Sequence, residues 1–367
     1  MTRRRWKSRS VFPTLGVLLT APSAACAHAF GERYDLPVPL GYFVAGAAAT
    51  VALSFVVAAV FMRRVPRDPG DSGFVVPLGP LLPVLRTAAR IVGVVLLCVI
   101  LIAGLFGTPE PETNLAPVLV WIVWWVGLSF TVACCGDIWS AIDPWRAVFE
   151  WLDAAVRRLG RANGVKFGLT YPPRLGAWPA VFLLLTFVWV ELLYPHAVQP
   201  SRLADMALTW SALTLVGMAS FGVDAWRRSG DVFAIYFATL GRFAPIGVTA
   251  EGRSLVLRAP GIGLIAAPVV SFAMVGFVLA MLATVLFDGL LGTGVMALAR
   301  RSLAVWLPGL AGDVAYVTGT TGLICVWLLF LGAYLLSCFT TSRLVGDRAT
   351  VAVAKVFALT LVPIAIA

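Results

Sequence analysis

The sequence predicts an all-α integral membrane protein, with about eight transmembrane helices following a cleaved signal peptide and an amphipathic helix on the cytoplasmic surface. Three observations predict it. Of 367 residues, 60% are hydrophobic and only 13% charged, too little polar surface to cover a soluble globule of this size. The apolar residues fall in blocks close to a bilayer's thickness. The basic residues, 28 Lys and Arg in a chain of formal net charge +10, lie between these blocks rather than in one patch, which excludes a nucleic-acid-binding protein. Two histidines and six cysteines, scattered through apolar sequence, likewise exclude a zinc module or a disulfide framework.

The N-terminus carries Arg3, Arg4, Arg5, Lys7 and Arg9, a short apolar run from Val11 to Ala21, and Ala25-Cys26-Ala27. This is the layout of a secretory signal peptide over 1–27 with an A-x-A cleavage site, which makes His28 the mature N-terminus. Acylation at Cys26 fits less well because Ser23 stands where leucine is usual. An uncleaved anchor is disfavoured by Pro13 and Pro22, which break a run already short of the roughly 20 residues a span needs.

Each following span is bounded by charge, Pro or Gly. The limits are about 39–62, 91–107, 115–135, 177–195, 206–223, 260–286, 317–339 and 351–367. Placing the mature N-terminus outside assigns 18 Lys and Arg to the cytoplasmic loops 63–90, 136–176, 224–259 and 340–350, against 4 on the outer segments. That bias fixes the orientation, with the protein in the cell membrane. The last span ends without a polar flank, so the expectation is either a short buried segment or a chain that continues.

Two cytoplasmic segments are not spans. Over 143–161, Trp145, Val148, Phe149, Leu152, Ala155, Val156 and Leu159 share one helical face and Arg146, Glu150, Asp153, Arg157, Arg158 and Arg161 the other. Asp143 is the expected N-cap, Pro144 the first helical residue and Gly160 the stop. Such a helix lies on the anionic inner leaflet, a partner-binding helix being the other reading. Asp231–Leu240 is apolar nearly all round and too short to cross, so it is re-entrant or packed beneath the bundle. Gly136-Asp137-Ile138-Trp139 echoes Gly230-Asp231-Val232-Phe233, a hint of a parallel repeat. Trp121, Trp124 and Trp125 are expected to pack and to anchor at the interface.

Ionisable residues beside a bilayer carry a solvation cost and are therefore candidates for function. On the outer side these include Glu191, inside the fourth span, and Asp288, closing the sixth, as catalytic candidates. His28 and His196 are metal candidates, with Glu32, Asp35 and Asp205 nearby. An N-terminal histidine offers its amine and ring Nδ1 as a chelate, and His196 would complete a three-nitrogen set that favours copper as the divalent metal. The alternative is that both histidines are interfacial polar groups and Glu191 an interior hydrogen-bonding residue.

The stretch His28-Ala29-Phe30-Gly31-Glu32-Arg33-Tyr34-Asp35-Leu36-Pro37-Val38-Pro39-Leu40 resembles the opening of bacterial membrane proteins of the fenitrothion hydrolase group. Asp137-Ile138-Trp139, Asp143-Pro144-Trp145-Arg146 and Phe287-Asp288-Gly289 are similar to the same group. The resemblance implies a membrane hydrolase, or a subunit of one, in which metal-assisted water attacks an organophosphotriester. Because such sites use several histidines, it also implies ligands from a second membrane subunit or from further along the chain. The other class of function consistent with these residues is a non-catalytic membrane component that transports or senses a metal or small solute, or scaffolds a complex.

Overall fold

In a computed structural model of the protein, residues 73–248, 254–265, 269–307, 309, 313–345 and 350–366 are described, with isolated positions between 42 and 52. The expected signal peptide, His28, Glu32, Asp35 and nearly all of the first expected span lie outside the described residues.

The chain is mostly helical, and five of the described helices are long and apolar enough to cross a membrane. They are α1 (Leu81–Phe106), α2 (Leu115–Cys135), α6 (Pro200–Phe221), α10 (Phe272–Leu291) and α12 (Val314–Val345). Between them come α3 (Trp139–Ile142), α4 (Pro144–Arg158), α5 (Trp178–Leu193), α7 (Val223–Ser229), α8 (Val232–Gly241), α9 (Ile262–Ile265) and α11 (Gly294–Trp306). The chain continues through α13 (Thr350–Phe357), a 3-10 turn (Ala358–Leu361) and α14 (Val362–Ile366).

Several boundaries differ from those expected. The sixth span starts at Phe272 rather than 260, capped by the Ser271 hydroxyl on the Met274 N–H at 3.2 Å. It runs to Leu291, so Asp288 stands within the last turn instead of closing the span. The fifth begins at Pro200, which puts Asp205 on the helix, exposed and 3.5 Å from Arg202. The segment 287–316, expected on the outer side, contains α11.

The chain is also not purely α. Three short strands, β1 (Phe74–Pro77), β2 (Ile246–Val248) and β3 (Ser254–Leu257), form an antiparallel sheet in the order β1-β3-β2. Strands of three or four residues carry too few positions for alternation to be visible in sequence.

Packing sorts the connections into two ends of the bundle. At one, Gly104 of α1 lets the Pro200 carbonyl approach so closely that a Cβ would sit 2.6 Å from it. There too the Trp121 indole donates to the Ala197 carbonyl at 3.1 Å. At the other, Arg90 pairs with Glu150 at 2.9 Å, Arg227 with Asp143 at 3.4 Å, and β1 joins the 246–257 hairpin. Helices α5 and α10 run parallel: Trp178 meets Phe272 near their starts, with ring centroids 6.2 Å apart, and Glu191 and Asp288 share a pocket near their ends. Small residues at these crossings permit the close backbone approach that membrane helices depend on.

Helix α8 is the least expected feature. It is buried over Val232–Ile235, Phe237 and Thr239–Gly241, within the bundle rather than beneath it. Its C-terminal Gly241 is pressed against the Asp137 backbone, where a Cβ would meet the amide nitrogen at 2.8 Å.

Helix α4 has the cap foreseen for it. The Asp143 carboxylate accepts from the Trp145 and Arg146 amides at 3.0 and 3.1 Å, Pro144 leads, and Gly160 follows at φ +97°. Its apolar face, however, divides. Trp145 and Phe149 enter the protein core, the Trp145 indole donating to the Ser211 hydroxyl at 2.7 Å, whereas Leu152 and Leu159 remain exposed. Trp145 is therefore a packing residue and not a lipid contact, because α1 and α6 offer it a closer partner. Trp145→Ala should accordingly lower stability by about 3–5 kcal/mol, and Leu152→Ala by less than about 1 kcal/mol. Thermal unfolding of the two detergent-solubilised variants checks this; equal losses would mean that α4 is held by lipid alone.

Candidate functional site

Residues 118–127 of α2 are wound as a π-helix, a wider turn that is rare and recurs at functional sites. It brings Trp121, Trp124 and Trp125 toward the bundle interior, where they separate two cavities. Trp125 stands on the wall of a pocket of about 250 Å³, apolar over most of its lining, that also receives the polar side chains of Ser129, Glu191, Tyr236, Thr284 and Asp288. Two of the residues expected to be functional, Glu191 and Asp288, are thus brought from different spans into one pocket.

Around them the polar atoms are ordered. The Trp125 side chain lies beside the Glu191 carboxylate. Tyr236 of α8 lies beside Ser129 and within electrostatic reach of Glu191. The Ser129 hydroxyl donates to the Trp125 carbonyl at 2.5 Å and Thr284 to the Met281 carbonyl at 2.8 Å. With their hydrogens committed to helix carbonyls, both hydroxyl oxygens retain lone pairs.

The remaining candidates stand apart. His196 is exposed at the end of α5, edge-on to the Tyr194 ring with centroids 5.5 Å apart. Asp205 is engaged by Arg202. Among the described residues no group of three potential metal ligands forms, and His28, Glu32 and Asp35 lie outside them.

At the opposite end is a second ionisable cluster that composition and spacing did not single out. Asp231 caps α8 by accepting from the Ala234 amide at 3.0 Å, and Asp137 accepts from the Ser140 amide at 3.1 Å. Both bonds run from residue i+3 to an aspartate that follows glycine, so the echoed tetrapeptides share one capping geometry. Asp143 completes the group. Arg227 pairs with Asp143 through Nη1 and Oδ2 at 3.4 Å, both atoms buried and neither making a hydrogen bond.

Two buried carboxylates and a half-buried one around one guanidinium cannot all be ionised cheaply. Burial raises Asp137 and Asp143 above the ordinary carboxylate range, opposed by backbone amides and Arg227. Burial and then the charge of Asp143 push Asp231 up to about 7. Asp153, in contrast, is held below its usual value by the Val165 amide at 2.9 Å and by Arg157.

Comparison with protein-family models, with curated proteins and with solved structures finds no match. The case for function therefore rests on the geometry of this chain.

Asp231 holds a proton in the folded protein that the unfolded chain releases near pH 4. Its contribution to stability is present below that value and is lost as pH rises toward 7. Asp231→Asn keeps the cap acceptor and removes the titration. Melting temperature in detergent should fall for the wild type between pH 5 and pH 8 and be flatter for the variant, which becomes the more stable of the two at pH 8. Parallel curves would show Asp231 to be ionised throughout.

Proposed function

We propose that the chain is a membrane component that takes up a proton or a small cation at the Glu191–Asp288 pocket, from the outer side, in transport or sensing. The observation that carries this reading is the meeting of two carboxylates from parallel helices inside an apolar bundle. Like charges that share one pocket in such surroundings call for a counter-charge, and intramembrane carboxylates of this kind mark ion and proton pathways. The oxygens of Ser129 and Thr284 add neutral acceptors of the sort that hard cations prefer. The 18-to-4 distribution of basic residues supports an outward position for the pocket.

The hydrolase implied by the resemblance would apply the same two carboxylates differently, as base and acid on an attacking water and a leaving phenolate. The expected copper set of His28 and His196 is a separate proposal, answered by the metal content of the purified protein with and without His196→Ala.

A carbodiimide that enters membranes and reacts with protonated carboxyls separates the two readings. Mass spectrometry of the treated protein should find the adduct on Glu191 and none on this peptide in Glu191→Gln. Excess sodium or potassium should protect if a cation competes with the proton. Absence of labelling in the folded wild type would overturn the uptake reading. Turnover of a nitrophenyl phosphotriester by the wild type, lost in both Glu191→Gln and Asp288→Asn, would replace it with the hydrolase.

A further inference from the structure

Helix α4 leaves one stripe of its surface uncovered. Ser211, whose hydroxyl accepts from the Trp145 indole, is the twelfth of the 22 residues of α6, so the first turn of α4 lies near mid-depth of a helix about 33 Å long. The chain beyond α4 lies at the end of that same helix. There the Phe167 and Leu169 amides donate to the Ala219 and Ser220 carbonyls at 2.8 and 2.9 Å, and the Val165 amide ties the segment back to Asp153 at 2.9 Å. Helix α4 therefore climbs from inside the bundle to the level at which α6 ends, where hydrocarbon gives way to headgroups.

Its uncovered stripe is not the expected one. Trp151, Leu152, Ala155, Arg158 and Leu159 are exposed and fall within an arc of about 120° at 3.6 residues per turn. Trp151 and Arg158 stand in this stripe in place of Trp145 and Phe149, which are buried. Phe167 and Leu169, exposed at the end of α6, extend it.

The charges at this level do not cancel. Residues 143–176 hold six Lys and Arg against three carboxylates, and each carboxylate is engaged within the protein: Asp143 by Arg227, Glu150 by Arg90 and Arg146, and Asp153 by Arg157. Arg158, Arg161 and Arg174 are exposed, and among the described residues none has a carboxylate within ion-pair distance. Lys166 adds a charge beside the Asp153–Arg157 pair.

We propose that this surface binds anionic phospholipid: Trp151, Leu152, Leu159 and Phe167 lie among acyl chains, and Arg158, Arg161 and Lys166 hold headgroup phosphates of the adjoining leaflet. An apolar stripe that ends in uncancelled cations matches a layer that is apolar within and anionic at its rim. Arginine offers forked donors that fit a phosphate, and long cationic side chains reach headgroups while their stems stay against lipid. A zwitterionic headgroup brings its own ammonium, so selection falls on headgroups of net negative charge. A water-borne acidic protein fits less well, because Trp151 and Leu152 lie on the part of α4 that is still below the α6 end.

The test uses the full chain in nanodiscs of mixed phosphatidylcholine and phosphatidylglycerol, with the lipids retained on release counted by native mass spectrometry. The wild type should retain phosphatidylglycerol at least about threefold above its share of the nanodisc. The combined variant Arg158→Gln, Arg161→Gln, Lys166→Gln should retain the two lipids in nanodisc proportion; its three positions are exposed, so the fold survives their exchange. Arg301→Gln, at another exposed cation on α11, should leave the enrichment unchanged. Hydrogen exchange of the 150–169 segment should be slowed by phosphatidylglycerol in the wild type and not in the combined variant. Retention in nanodisc proportion by the wild type, enrichment that survives in the combined variant, or enrichment that Arg301→Gln removes equally would overturn the proposal. Enrichment lost to inorganic phosphate but not to chloride of the same ionic strength would assign the cations to a soluble anion and overturn it as well.

Discussion

Everything around the two cavities depends on burying the ends of a ten-residue helix inside an apolar bundle. The first amides of any helix lack intrahelical partners, and in surroundings that exclude water they must find others. Helix α8 meets that constraint with Asp231, whose carboxylate accepts from the Ala234 amide. A buried carboxylate in turn requires compensation, which Arg227 supplies while it pairs with the neighbouring Asp143. Asp143 caps α4, so two helix starts and one guanidinium are locked together. Trp226, wedged between Gly217 and Gly230 with its indole donating to Thr214 at 2.8 Å, fixes the approach of α7 to this knot.

Once α8 is held there, its side chains divide between the cavities. Phe233 lines the larger cavity of about 430 Å³ beside Trp124, while Tyr236, three positions on and nearly one turn further round, reaches the carboxylate pocket. The π-helical stretch of α2 divides in the same manner, with Trp124 toward one cavity and Trp125 toward the other. Adjacent residues point about 100° apart on an α-helix and less on the wider π-turn, which suits a thin wall with a face on each side. Two neighbouring cavities thus share one set of backbone supports.

Much of this architecture was legible in the sequence. Helix-forming apolar blocks, the Asp143-Pro144 cap and the segregation of basic residues are local signals, and five of the expected spans are helices long and apolar enough to cross a membrane, whereas 178–193 is shorter and 350–366 is broken by a 3-10 turn. Glu191 and Asp288 could be singled out because a carboxylate in an apolar block is conspicuous by itself. Their meeting could not, since it depends on the parallel packing of α5 and α10. Trp139, Trp145 and Trp210 carried no signal as a group. In a chain this rich in aromatics, a tryptophan that lines a cavity and one that fills a core have the same neighbours in sequence. The Gly-Asp echo was visible, and its meaning as a shared capping device depends on which amides each carboxylate reaches.

The shared wall also couples the two cavities mechanically. Phe187 of α5 sits between them, 4.6 Å from the Trp125 ring and 5.1 Å from Phe233, and Glu191 follows one turn later on the same helix. A displacement of Phe233 would press on Phe187 and Trp124, and through the π-turn on Trp125, which lies beside Glu191. Packed aromatic walls transmit such shifts because interiors are dense and deform little.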